Sequence, residues 1–110
     1  KVSSGNSFVH TSEGQLILSQ SMDAQFTMDL ICKDLKYVDK LRKKFNIPSE
    51  LIKVVYKIFK NGSQKLGKRE FSTAIVKLLE NDCGEKLYSP GFPKKLKDDK
   101  PRRKGVEIKR

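Results

Sequence analysis

Lysines at regular spacing are the residues of this chain best suited to chemistry, and the chemistry they suit is phosphate binding. Lys53, Lys57 and Lys60 are separated by four and three positions, which places them on one side of a helix. Lysine carries a compact point charge that meets phosphate without selecting a neighbouring base. A following loop and a C-terminal cluster extend this set. The candidate nucleic-acid-binding residues are Lys53, Lys57, Lys60, Lys65, Lys68, Arg69, Arg102, Arg103 and Lys104.

The positive charge of the chain is concentrated in two stretches. Residues 36–69 contain eleven basic and two acidic residues, and residues 86–110 contain ten basic and three acidic ones. The formal net charge of all 110 residues is +11. Clustered cations raise the local potential and release counterions when an anion binds. We therefore expect a non-enzymatic helical module that binds nucleic acid, chromatin or another anionic macromolecule, with DNA, RNA and acidic protein left open.

Residue types that could catalyse a reaction or hold a metal are sparse. His10 is the only histidine, and no second acid or nucleophile can be assigned near it. Cys32 and Cys83 lie far apart without a paired metal-ligand spacing, although a disulfide between them stays possible. The sequence also lacks a glycine-rich phosphate cradle. These observations predict no enzyme, no metal and no cofactor.

Apolar spacing predicts a mainly α fold, a small domain of three to four helices. From Met22 onward, apolar residues recur every three or four positions, which indicates one helical stripe. A second helix is expected over residues 49–60, with Pro48 before it and Asn61-Gly62 ending it. A further helix should stop near residues 81–84. The expected inward-facing residues are Phe26, Leu30, Ile31, Leu35, Val38, Leu41, Phe45, Leu51, Val55, Ile58, Phe71, Ile75, Leu78 and Leu79.

The two ends of the chain are expected to differ from this core. Residues 7–10 and 15–18 have strand character and flank a turn at 12–14, which predicts a short N-terminal β-hairpin. Beyond Gly84, prolines and lysines interrupt the apolar pattern and predict an extended basic tail. We divide the chain into an N-terminal segment, 1–20, a helical core, 21–84, and a basic tail, 85–110.

The context of the chain is predicted from weaker signals. It begins with Lys rather than Met, which indicates a piece of a longer or processed protein. No apolar run is long enough to span a membrane. The basic cluster at residues 100–104 resembles a nuclear-import signal. We expect an intracellular location, with the nucleus as one option.

Two motif patterns overlap in the middle of the chain. Residues 37–60 have the helix lengths and the short turn of a helix-turn-helix or winged-helix-like unit, with the lysines on the second helix. Residues 51–76 resemble a degenerate EF-hand, because Leu66, Glu70 and Phe71 match its loop positions eight, twelve and thirteen. Phe59 stands where calcium needs a carboxylate, and Gln64 replaces the turn glycine. That resemblance implies a calcium-independent packing unit, and an alternative role in protein–protein interaction or dimerisation.

Overall fold

The computed structural model describes residues 4–97, and most of them are helical. The α-helices are α1 (Phe8–Leu18), α2 (Met28–Lys44), α3 (Glu50–Leu66) and α4 (Val76–Cys83), and a 3₁₀ helix (Ser72–Ile75) precedes α4. Extended pairing within residues 4–97 is limited to one antiparallel bridge between Thr27 and Phe71. The prediction of a mainly α fold is confirmed. No helix in the described part of the chain has the length and apolar character needed to cross a bilayer.

The longest helices, α2 and α3, form a helical hairpin that is the main packing unit of the domain. Their connection follows from local chemistry. Asn46 adopts a left-handed conformation with φ of 51°, Pro48 disfavours helix at the residue before it, and Ser49 caps α3. The Ser49 hydroxyl accepts a hydrogen bond from the amide of Ile52 at 3.5 Å. The short turn therefore fixes the two helices as neighbours.

The apolar stripe predicted for α2 does not remain inward along its whole length. Val38, Leu41 and Phe45 are 42%, 54% and 63% exposed. The inward positions near the end of α2 are taken instead by Asp39 and Arg42, whose side chains are mostly buried and joined by a 2.9 Å ion pair. A satisfied ion pair can occupy an interface position, and apolar spacing alone does not reveal it.

The inward face of α3 also differs from the prediction. Val55 is half-buried as expected, but Leu51 and Ile58 are 73% and 46% exposed. The inward face instead carries Ile52, Phe59 and the buried Gly62, which are spaced at seven and three positions from one another.

The predicted end of α3 at Asn61-Gly62 is wrong, because the helix continues to Leu66. Gly62 is buried, and a Cβ atom at this position would overlap Cδ1 of Ile75. The glycine therefore leaves room for the Ile75 side chain to pack closely against α3, and it does not end the helix. The helix ends at Gly67, whose φ of 107° lies in the region that favours glycine. Residues 59–66, which the EF-hand resemblance treats as a loop, are helical; that resemblance and the helix-turn-helix pattern stay predictions.

The predicted N-terminal β-hairpin is also wrong, because α1 occupies its place. Ser7 caps this helix by accepting a hydrogen bond from the amide of His10 at 3.1 Å. The Ser12 hydroxyl donates to the carbonyl oxygen of Phe8 four residues earlier, so it is satisfied within the helix. Leu16 is fully buried. Helix formation pairs these backbone groups internally, whereas a lone hairpin would leave its outer edges unpaired.

The loop after α3 is hydrogen-bonded to the start of α2. The amides of Met28 and Asp29 donate to the carbonyl oxygens of Glu70 and Lys68 at 2.8 and 3.0 Å. A second link runs from the Thr73 hydroxyl to the carbonyl oxygen of Met22 at 2.6 Å. The first turn of α2 is thereby held at a fixed position against the loop, which bears on the geometry of the site below.

After α4, residues 85–93 form a strap that returns to α1. The carboxylate of Glu80, which is 9% exposed, accepts hydrogen bonds from the side-chain amide of Gln20 and the backbone amide of Leu87, each at 2.8 Å. The amide of Ser89 donates to the carbonyl oxygen of Leu18 at 3.0 Å. These bonds hold the first part of the predicted tail against α1 and α4. The tail from residue 98 onward lies outside the described residues.

Candidate functional site

A basic cleft lies between α2 and α3, and we refer to it as the α2–α3 cleft. It has a volume of about 360 Å³. Two helices supply its walls, so the packing of the helical hairpin determines its shape. Its lining residues are Asp29, Cys32, Lys33, Lys36, Tyr37 and Lys40 from α2, and Tyr56 from α3.

The lysines of the cleft follow from the spacing of α2. Lys33, Lys36 and Lys40 are separated by three and four positions, which places them along one side of the helix. Over seven residues the helix rises by about 10 Å, the scale of a ligand with several charged groups. Lys36 and Lys40 form no ion pair with any residue that the structure describes, whereas Lys33 lies 3.3 Å from the exposed carboxylate of Asp34. Lys36 and Lys40 are therefore the cations of the cleft that are available to an anion.

Asp29 is the acidic residue of the cleft, and its carboxylate already has partners. The Thr27 hydroxyl and the amide of Leu30 donate to Oδ1, the latter at 3.0 Å, and Arg69 Nη1 lies 3.5 Å from Oδ2. The hydrogen bond from Thr27 is the main cause that lowers the pKa of Asp29, with Leu30 and Arg69 contributing in the same direction. The carboxylate is consequently ionised at neutral pH.

Cys32 lies in the same cleft but lacks the character of a nucleophile. Partial burial, followed by the negative charge of Asp29, raises the pKa of its thiol, so the neutral form prevails near pH 7. Cys32 and Cys83 are both free thiols, which settles the disulfide that the sequence left open. Within residues 4–97, no three side chains of the metal-binding types come together at one place.

The site residues predicted from the sequence do not gather at this cleft. Lys53 pairs with Glu50 at 2.8 Å, and Lys57 and Lys60 line an open surface on α3 that also includes Val54 and Ile58. We call Lys53, Lys57 and Lys60 the outer lysine face. Lys65 and Lys68 are exposed, and Arg69 contacts Asp29. Arg102, Arg103 and Lys104 lie outside the described residues.

The cleft residues themselves were missed by sequence reasoning, although part of the signal was available. Lys33, Lys36 and Lys40 have the same three-and-four spacing as the outer lysine face. What the sequence could not supply is Tyr56, which reaches the cleft from the neighbouring helix. An aromatic ring beside a row of cations can stack on a planar heterocycle while the cations hold phosphate. The arrangement is thus suited to a phosphorylated ligand that carries an aromatic ring.

A protein-family comparison agrees with a site of this kind. The family described as "NAD-binding of NADP-dependent 3-hydroxyisobutyrate dehydrogenase" matches residues 1–79. The match covers most of the chain, and the chain therefore belongs to this family. No curated protein and no solved structure shows a significant match.

Family membership corrects the functional predictions made from charge. The prediction of a non-enzymatic module that binds nucleic acid or chromatin is wrong, because the family is a domain of a dehydrogenase with a nucleotide cofactor. The predicted nucleic-acid partner is wrong for the same reason, and the alternative of a protein-interaction or dimerisation module is set aside with it. Clustered lysines indicate an anionic ligand, but they do not distinguish a phosphate polymer from a small phosphorylated cofactor. The predicted intracellular location stays a prediction.

Proposed function

We propose that this chain is a helical, cofactor-contacting domain of an NADP-dependent dehydrogenase that acts on a small hydroxy acid such as 3-hydroxyisobutyrate. The family match supports this assignment. The α2–α3 cleft is the observation from which we assign the cofactor contacts to particular residues. When bound, the nicotinamide ring of the cofactor supplies the hydride acceptor or donor. The domain contributes binding and electrostatics.

The residues of the cleft suit a nicotinamide nucleotide in charge and in chemical type. Lys33, Lys36 and Lys40 offer ammonium groups to phosphate oxygens, and each flexible lysine can adjust to its own oxygen. Tyr37 and Tyr56 offer ring faces to a heterocycle. The described residues contain no strand followed by a glycine-rich turn, so side chains, not backbone amides of such a turn, would make these contacts.

The direct test is a titration of NADPH with the chain, in which the fluorescence of the reduced nicotinamide reports binding. The chain contains no tryptophan, so protein emission does not obscure the signal. We expect saturable binding that weakens as salt concentration rises. Lys33→Gln should lower the affinity about three- to tenfold, because one charge-assisted hydrogen bond is removed.

Lys57→Gln is the matched control, since it removes the same charge from the outer lysine face. It should change the affinity by less than about twofold, because the charge that is lost lies outside the cleft and is screened by solvent. Absence of saturable binding in the parent chain at low salt would refute the proposal. Equal losses for the two variants would assign the binding to the general positive charge of the chain instead of the cleft.

A further inference from the structure

The contact between Arg69 and Asp29 has no role in the proposed function as stated, and it lies at the edge of the cleft. Arg69 is in the loop after α3, forty positions along the chain from Asp29. Hydrogen bonds from the amides of Met28 and Asp29 to Glu70 and Lys68 hold that loop against the first turn of α2. The backbone bonds made by its two neighbours therefore place Arg69 at the edge of the cleft.

Asp29 has an alternative partner on its own helix. Lys33 lies four positions further along α2, and an acidic residue four positions before a lysine is the favoured arrangement for a helical ion pair. Lys36 lies one further turn along the same side. The structure shows neither pair: Asp29 is bound by Thr27, Leu30 and Arg69 instead.

This competition matters because a lysine paired with Asp29 is neutralised towards a ligand. Asp29 Oδ1 accepts from Thr27 and Leu30, which leaves Oδ2 as the oxygen that could turn to Lys33. Arg69 Nη1 occupies that oxygen at 3.5 Å. We propose that Arg69 is a positioning residue that engages the Asp29 carboxylate and so keeps this carboxylate from competing with the phosphates of the cofactor for Lys33.

This inference rests on the proposed function, and its test is a double-mutant cycle measured with the same NADPH titration. Arg69→Gln should weaken NADPH binding about threefold, because the released carboxylate competes for Lys33. Asp29→Asn should bind at least as tightly as the parent. In the Asp29→Asn background, Arg69→Gln should cost less than about 1.5-fold, because no carboxylate remains to be held.

Loss of a positive charge alone could also weaken binding, and Lys68→Gln controls for this. Lys68 is the exposed neighbour of Arg69, and its side chain forms no ion pair within the described part of the chain. Lys68→Gln should lower the affinity equally in both backgrounds, by less than about 1.5-fold. Circular dichroism of each variant confirms that the helices remain formed.

The outcomes separate the inference from the proposed function. If Lys33→Gln weakens binding but Arg69→Gln behaves like Lys68→Gln, the positioning role is refuted and the proposed function stands. If the loss in Arg69→Gln persists in full in the Asp29→Asn background, Arg69 acts on the ligand directly and the inference is likewise overturned. If the parent does not bind NADPH, both the positioning role of Arg69 and the proposed function are refuted.

Discussion

The α2–α3 cleft and the outer lysine face use the same residue at the same helical spacing, yet they differ in surroundings. The cleft joins Lys33, Lys36 and Lys40 to an aromatic ring from a second helix. The outer lysine face stands on α3 alone, beside exposed aliphatic side chains, and Lys53 is already paired with Glu50. The difference is that a second helix places an aromatic ring beside the lysines of the cleft, whereas the residues that line the outer lysine face all come from α3.

The largest expected effect comes from breaking the packing that closes the cleft. Gly62→Ala adds a Cβ atom that overlaps Cδ1 of Ile75, so the Ile75 side chain must change its conformation or the packing of the 3₁₀ helix against α3 must loosen. We expect a loss of about 2 kcal/mol in the free energy of unfolding, measured by urea denaturation. NADPH affinity should fall with it, because the walls of the cleft shift.

Gly14→Ala is the matched control for this prediction. Gly14 lies within α1, and a Cβ atom there meets no heavy atom within 4 Å. Alanine also has the higher helix propensity, so the variant should gain up to about 1 kcal/mol. An unchanged or more stable Gly62→Ala protein would contradict the close approach described for α3.

A smaller effect should come from acidification, which protonates the carboxylate of an ion pair. Asp39 lies within 2.9 Å of Arg42 and 2.7 Å of Lys43, and hydrogen bonds from Lys43 and then Arg42 lower the pKa of its carboxyl. The stability that this lowered pKa contributes is present above the ordinary pKa of 3.8 and is lost as the pH falls through the lower folded value. The unfolding midpoint should therefore decline below about pH 4.

Asp39→Asn tests the source of that decline by thermal unfolding at pH 7 and pH 3. The variant should be less stable than the parent at pH 7, and the difference between the two should be smaller at pH 3. Asp23→Asn serves as the control, because the Asp23 side chain makes no ion pair within residues 4–97, and it should track the parent at both pH values. A constant gap between Asp39→Asn and the parent at both pH values would contradict the ionic role of this carboxylate.

The smallest effect is expected on the outer surface of α3. Leu51 is 73% exposed, so Leu51→Ala should change the free energy of unfolding by less than about 0.5 kcal/mol. Its neighbour Ile52 is half-buried on the inward face, and Ile52→Ala should cost about 1–2 kcal/mol. Similar losses in the two urea titrations would show that the outer surface of α3 is covered in solution.

Much of the fold could be predicted from local chemistry, and the errors have physical causes. Pro48 and Ser49 correctly place the start of α3, because a proline and a hydroxyl cap act on adjacent residues. Gly62 was misread as a helix end, because its role depends on Ile75, thirteen positions away in sequence. The hairpin predicted in place of α1 was wrong because short apolar runs fit either period, and the Ser7 side chain that caps the helix lies outside the apolar pattern.

The candidate site was less predictable than the fold. The charge of α2 and α3 predicts an anionic partner, but electrostatics alone leaves the size of that partner open, and the predicted macromolecule was wrong. Tyr56 joins the cleft, and Arg69 joins its edge, through contacts between elements, which no spacing along one helix encodes. Discrimination between a nucleotide and a polymer therefore required the family match in addition to the pattern of charges.

The strap has a consequence for the order in which the molecule assembles. The α2–α3 hairpin closes over a five-residue turn, and short loops close quickly and at low entropic cost. The bonds made by Gln20, just after α1, instead span 60 positions to Glu80 and 67 positions to Leu87. Folding should thus begin at the hairpin and end when α1 docks, and amide hydrogens of α1 should exchange with solvent before those of α2 and α3.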